Sequence, residues 1–355
     1  MSAVSQRRGV SRCPRLGFSK VDLLAVIVML GLIVLLALPS LNLLRVNSRR
    51  TTCLNNLRVT ALAVMSYQTE SAAAHLPAMA QAPPSFIGTP NECDVTVPSW
   101  SWQVFILPYM EAGEVFELLE PNTHTAAAIV DQAVGSGGES LLKVLQQPLF
   151  ACPGDQGSLL NEARWLGPDN AQSADDSHVL KVARGNYVGV NTVGAATSFV
   201  NLDPLKYPNI PTPNAGVFEA INQPVKWSAI TDGRSNTFMI GERAWKYKAG
   251  GQIYESAAAN QLMNRNTRVP GIGNVPCGYF GLGNSDTCAS SNFGKGINFP
   301  HSDPLQSKCT YSSLHPGGAN FAYCDGSTQF VTETIDPMTM MELTTKSDVK
   351  ISVEE

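Results

Sequence analysis

Hydrophobic and polar positions divide the chain into three regimes. From Leu23 to Leu38 no side chain is polar, Asp22 stands at the near edge, and no further charge appears until Arg45. Counted through Pro39, Ser40 and Asn42 to Leu44, about 22 residues at ~1.5 Å each make a helix of roughly 33 Å. That matches the ~30 Å hydrocarbon core of a bilayer, so the pattern predicts a transmembrane helix over residues 18–44. A charge-free run of this length exceeds what a helix in a soluble core holds. Beyond it, Arg45, Arg49, Arg50, Asn55, Asn56 and Arg58 alternate with Leu54, Leu57, Ala61, Val64 and Met65 at three- and four-residue steps. This spacing predicts an amphipathic stalk helix over 45–70 with one apolar stripe. A single helix from Phe18 to Tyr67 would be roughly 75 Å long, bent or broken near Pro39, which lacks the N–H and crowds the preceding turn.

Residues 71–99, with Ala82-Pro83-Pro84, read as a linker. A head over 100–336 begins with the aromatic run Trp100 to Tyr109, whose density predicts core. Helices are expected at Ala126 to Val134 and at Ser140 to Gln147, the second ended by Pro148. Short strands between turn residues are expected at Asn186 to Thr192, Gly216 to Glu219, Thr237 to Glu242, Asn320 to Cys324 and Ser327 to Val331. Asp325-Gly326 joins the last two as a two-residue hairpin turn and sets Phe321 opposite Phe330. The Gly- and Asn-rich stretch from Ala249 to Pro300 predicts long surface loops, and 337–355 a C-terminal tail. The fold class is therefore α+β: a long N-terminal transmembrane and stalk helix followed by a globular head with an antiparallel β-sheet and long loops.

Composition narrows the functional classes. Hydrophobic residues at 44% and charged residues at 15% suit a folded chain. Residues 1–17 carry Arg7, Arg8, Arg12 and Arg15 and no acid, so removing this leader takes the net charge from −4 to −8. An acidic remainder lacks the basic face that phosphate binding requires, which disfavours a nucleic-acid partner. Of the eight cysteines, Cys13 lies in the leader and seven run from Cys53 to Cys324, with no C-x-x-C pair and no neighbouring Cys-His spacing that would point to zinc. Behind an anchor, disulfides are the expected state; Cys309 with Cys324 and Cys277 with Cys288 are the candidate pairs, and the odd count leaves one thiol over.

Ser313, His315 and Asp325 are the residue types of a hydrolytic triad. All three lie on one short segment leading into a hairpin, and no G-x-S-x-G elbow, H-E-x-x-H, P-loop or dinucleotide fingerprint accompanies them. The chain is therefore expected not to be an enzyme, with His315 organising a turn or contacting a ligand. Asp232-Gly233-Arg234-Ser235-Asn236 clusters oxygen donors of the kind calcium takes, although Asp232 and Asn236 are equally the residues that form turns. No other cofactor is indicated.

Gly17-Phe18-Ser19-Lys20-Val21-Asp22 and the apolar run after it resemble the prepilin-type cleavage and methylation motif of type IV pilins and type II secretion pseudopilins. The resemblance implies a cut by a prepilin peptidase after Gly17, methylation of Phe18, an assembly role for Asp22 and a kink at Pro39. Two departures stand out: Asp22 replaces the family's glutamate, and Lys20 replaces a commonly apolar residue. Phe150 to Asp155, Asn186-Tyr187-Val188, Gly216-Val217-Phe218, Ile230 to Thr237 and His315 to Asn320 ending in Asp325-Gly326-Ser327 resemble the successive landmarks of the bacterial prepilin-like family with domain of unknown function 1559. Together these imply a pilin-like subunit in the bacterial inner membrane, single-pass, with its head in the periplasm or at the cell surface. Its partners would be copies of itself or related subunits, the assembly machinery and the lipid bilayer; calcium in the head is a further implication. An uncleaved anchor, a secretory signal peptide, and a binding module that does not polymerise remain open as alternatives.

Overall fold

A single helix, α1 (Lys20–Glu70), opens the computed structural model, which describes residues 19–81, 99–135, 146–162, 166, 181–192, 216–218, 222–256, 258–264, 288–290, 296–300 and 311–347. Its first turn is capped reciprocally. The Ser19 hydroxyl accepts the N–H of Val21 at 3.3 Å, and the Asp22 carboxylate accepts the N–H of Ser19 at 3.0 Å, which satisfies donors that the helix leaves over. The acid also sits at the positive end of the helix dipole.

The chain forms two compact units, residues 1–48 and 49–355. In the first, the large apolar side chains from Val21 to Leu35 are exposed. Among the described residues, however, no helix is long and apolar enough to cross a membrane. This overturns the transmembrane helix expected over 18–44, and with it the single-pass inner-membrane placement with a periplasmic or surface head. The unbroken apolar run from Leu23 to Leu38 reaches only about 24 Å as a helix, against a ~30 Å hydrocarbon core; the remainder of the expected span counted Pro39, Ser40 and Asn42. Nor does the helix break at Pro39: α1 is helical throughout, forgoing the bond that the missing N–H would have made.

The second unit is α+β. Within it α1 buries Cys53, Leu57, Thr60, Ala61 and Val64, steps of three and four that keep one face inward, while Leu54 and Met65 flank the stripe half-buried. Among the described residues three further helices, α2 (Trp102–Phe105), α3 (Gly113–Leu119) and α4 (Ala126–Gly135), precede the main sheet. The strands are β1 (Ala80–Gln81), β2 (Ser99–Ser101), β3 (Arg184–Gly185), β4 (Tyr187–Thr192), β5 (Phe238–Glu242), β6 (Lys246–Ala249), β7 (Gln252–Glu255), β8 (Ala259–Asn260), β9 (Met263–Asn264), β10 (Cys288–Ser290), β11 (Gly318–Tyr323) and β12 (Thr328–Thr332). Five of them form the main sheet in the order β10-β4-β5-β11-β12, antiparallel except for the β10–β4 pair. Its central strands β5 and β11 are buried along their whole length. Phe238 of β5 stacks on Phe321 of β11 at 4.4 Å between centroids, and Trp102 packs on Phe218 at 5.1 Å.

The β11–β12 hairpin forms one residue out of the expected register. Phe321 pairs with Gln329 and Phe330 with Asn320, so the two rings point to opposite faces. The turn is the cause. Tyr323 N–H donates to Ser327 O at 2.9 Å and Gly326 N–H to Tyr323 O at 3.0 Å, a three-residue loop closed by Gly326 at φ +81°, a left-handed conformation that glycine adopts without strain. Other expectations shift as well. Gly216 to Phe218 is bent, not extended, and the stretch after Ala249 carries β7 to β10, with Ala258, Leu262 and Met263 buried. Residues 337–344, expected as tail, form a helix, α5 (Pro337–Thr344), lying against β4 and β5. The expected helix at Ser140 to Gln147 falls mostly outside the described residues.

Candidate functional site

The inner face of α1 meets the first head landmark covalently: Cys53 and Cys152 form a disulfide with 4.9 Å between their Cα atoms. The segment after Cys152 then turns under β4. Cys152 N–H donates to Asn186 Oδ1 at 2.9 Å, and Asn186 Nδ2 donates to the carboxylate of Asp155 and to Arg243 O. Asp155 is the hub of this half. Its carboxylate is ion-paired to Arg184 and accepts Trp245 N–H at 2.8 Å and Gly157 N–H at 3.3 Å. Both charged side chains are almost wholly buried, and the multiple donors around the carboxylate are what make such a pair tolerable away from water.

The other half is built from β5, β11 and the loop before β11. Glu242, the last residue of β5, is 2% exposed and His315 is 4% exposed. Asn320 on β11 holds both oxygens of Glu242, its N–H on Oε2 and its Nδ2 on Oε1, each at 2.9 Å. His315 Nε2 lies 3.5 Å from Glu242 Oε1 and 3.4 Å from Cys152 Sγ. The loop that presents His315 is fixed by Ser313, whose hydroxyl accepts His315 N–H at 3.1 Å. Gly154 is required here by close approach: a Cβ at that position would stand 2.9 Å from His315 Cε1 and 3.3 Å from Cys152 Sγ. A cavity of about 10 Å³ remains between the two halves, lined by Cys152, Asp155, Glu242, Arg243, Ser312 and His315 among others, about the room one water needs.

Cys53, Cys152, Glu242 and His315 bring four potential ligand atoms within 4.8 Å of one another, all buried. Among the described residues this is the group of Cys, His and carboxylate side chains close enough together to be able to hold a metal ion, with its two sulfurs joined in the disulfide. Asp232 and Asn236, expected either to form a turn or to offer oxygens to calcium, lie in a turn: Asn236 Nδ2 donates to Asp232 O at 3.3 Å and Asn236 N–H to Gly233 O at 3.0 Å. Asp325 is exposed, and its carboxylate accepts the N–H and hydroxyl of Ser327 at the hairpin turn. The three residue types of a triad are thus committed to different tasks, with His315 directed to Cys152 and Glu242.

Cys324 is a buried free thiol, which corrects its expected disulfide with Cys309; burial, with the Asp325 charge as a smaller contribution, raises its pKa and keeps it protonated. Cys309 and Cys277 lie outside the described residues, and Cys288 opens β10. Gly17 and Phe18 are likewise outside them. Asp22 caps α1, and Pro39 sits in its interior.

The family described as Protein of unknown function (DUF1559) matches residues 44–338. The chain belongs to this family. The match takes in every head landmark. Cys152 and Asp155, Asn186, and His315 with Asn320 come from three of those landmarks and meet at one place. No curated protein and no solved structure matches the chain. Two members of the cluster had no signal in the sequence. Glu242 closes an ordinary-looking strand, and Cys53 sits on a helix stripe where a cysteine passes for a small apolar residue.

Proposed function

We propose that this chain is a pilin-like structural subunit, cut after Gly17 by a prepilin peptidase and assembled with copies of itself through the first half of α1. The observation that carries this reading is the exposed apolar surface there. Val21, Leu23, Leu24, Ile27, Met29 and Leu35 are each more than half exposed, and they lie all around the helix instead of along one stripe. Apolar surface of this extent marks an interaction site, and a helix apolar on every side is suited to burial among several neighbours. The resemblance of Gly17 to Asp22 to a prepilin processing site and membership of the family support the same reading. In it, the amine freed on Phe18 of one subunit would pair with Asp22 of the next.

A second reading, a ligand-binding module that does not polymerise, is favoured by one observation: an open cleft of about 410 Å³ lined by Tyr67, His75, Phe105, Asn222 and Pro224 among others. A photo-crosslinking amino acid at Ile27 of the full chain, expressed in its native host, separates the two. Assembly gives a ladder of chain-to-chain products and an intact mass that starts at methylated Phe18, and Asp22→Ala shortens the ladder while monomer levels hold. Monomer alone, with an uncut N-terminus, favours the binding module.

A further inference from the structure

We propose that the Cys53–Cys152 disulfide covers a four-ligand transition-metal site, which reduction unmasks and which zinc fills through Cys53 Sγ, Cys152 Sγ, His315 Nε2 and Glu242 Oε1. The inference is independent of whether the subunit polymerises. Tetrahedral zinc, with Zn–S of about 2.3 Å and Zn–N and Zn–O of about 2.0 Å, spaces its ligands roughly 3.3–3.8 Å apart. His315 Nε2 already stands 3.4 Å from Cys152 Sγ and 3.5 Å from Glu242 Oε1, and all four donor atoms fall within 4.8 Å of one another. The two bonded sulfurs must separate, and the remaining donor pairs must settle to the same spacing from within 4.8 Å. Two thiolates, one imidazole and one carboxylate are a donor set that selects zinc over the hard cations, and four protein ligands leave no open position, as in structural sites.

The surroundings suit an ion. Asn320 holds both oxygens of Glu242, the outer-shell support that orients a ligating carboxylate. Zinc with two thiolates and one carboxylate leaves a net charge of −1, and Arg243, fully buried, lines the same cavity and offsets it. A dithiol delivers two electrons and two protons to the disulfide, giving two cysteine thiols and its own cyclic disulfide. Zn²⁺ then displaces the two thiol protons, forming two Zn–S bonds and releasing two H⁺. Disulfide and metal are alternative fastenings of the same joint between α1 and the Cys152 segment, chosen by redox state.

Co²⁺ serves as the probe, because its visible absorption reports coordination number and thiolate ligation. The full chain is reduced with a dithiol, freed of it without oxygen and titrated beside the oxidised chain. The expected result is one Co²⁺ per reduced chain with a tetrahedral spectrum, two thiolate-to-metal charge-transfer contributions and displacement by Zn²⁺. The oxidised chain should show none of these, and Cys53→Ser and His315→Gln should each weaken binding at least tenfold. Equal spectra from reduced and oxidised chains, an octahedral spectrum, or unchanged binding in Cys53→Ser would overturn the proposal. Should His315→Gln fail to fold, the comparison of reduced with oxidised wild type and the Cys53→Ser result still decide.

Discussion

Tyr187 donates its hydroxyl to the main-chain carbonyl of Cys53 at 2.9 Å. One bond thus ties the first residue of β4 to the inner face of α1, at the same residue that makes the covalent tie to Cys152. The Cys53 carbonyl keeps its own helical partner, so removal of the phenol hydroxyl does not strand it. Tyr187→Phe should therefore cost about 1 kcal/mol, read as a lower urea midpoint with an unchanged denaturant slope.

The same tyrosine gives the fold an alkaline limit. Burial, reinforced by the Glu242 charge, raises the Tyr187 pKa well above its ordinary 10.0, and burial raises the Cys324 thiol above its ordinary 9.0. Both groups hold their protons in the folded chain at a pH where the unfolded chain gives them up. Stability from these two is then fully present below about pH 8 and declines from about pH 9 upward, continuing until the folded groups themselves ionise. Denaturant midpoints from about pH 7 to pH 11 should be flat and then fall, and Tyr187→Phe with Cys324→Ala should flatten the fall.

Replacing Cys53 and Cys152 together by alanine opens a loop whose ends are 99 residues apart. Chain entropy alone puts the loss at about 4–5 kcal/mol, with 2–5 kcal/mol the usual outcome for a native disulfide. Calorimetry under oxidising conditions, in the absence of metal, measures it.

Asp155 and Asp325 should respond in opposite ways. Asp155→Ala leaves Arg184 buried without its countercharge and should cost about 3–5 kcal/mol, enough to unfold a marginal domain. Asp325→Ala removes only the two exposed bonds to Ser327 and should cost about 1 kcal/mol. Paired thermal melts of the two variants test this contrast.

Much of the scaffold was legible because its signal is local. The three- and four-residue steps of Leu57, Ala61 and Val64 marked the inner face of α1, and the cores of β4, β5, β11 and β12 were marked by apolar runs between turn residues. What was missed depended on distance or on a single turn. Phe321 and Phe330 were placed opposite one another because Asp325-Gly326 reads as a two-residue turn, while left-handed Gly326 closes a three-residue one. Ser19 and Asp22 form a capping pair that the apolar run behind them overshadowed. The Cys53–Cys152 bond and the contacts of His315 with Glu242 join segments far apart in the chain, and residue spacing says nothing of such pairs until the sheet has brought them together. Cys53, Cys152, Glu242 and His315 likewise show no Cys-His spacing along the chain, although the fold brings their donor atoms within 4.8 Å of one another.

The position of the disulfide also decides how the chain would bear a load. Tension applied along the first half of α1 arrives at Cys53, where it divides between the peptide backbone and the sulfur bridge to Cys152. As long as the bridge is closed, the 99 residues it spans are shielded, and roughly 330–350 Å of slack stays locked inside the head. Force passes directly from the helix to the segment anchored on Asn186 and Asp155, and from there into the central strands. Stretched between its ends, the oxidised chain should therefore be shorter at full extension by about that length than the reduced one, a difference that a single-molecule pulling trace records as one missing step.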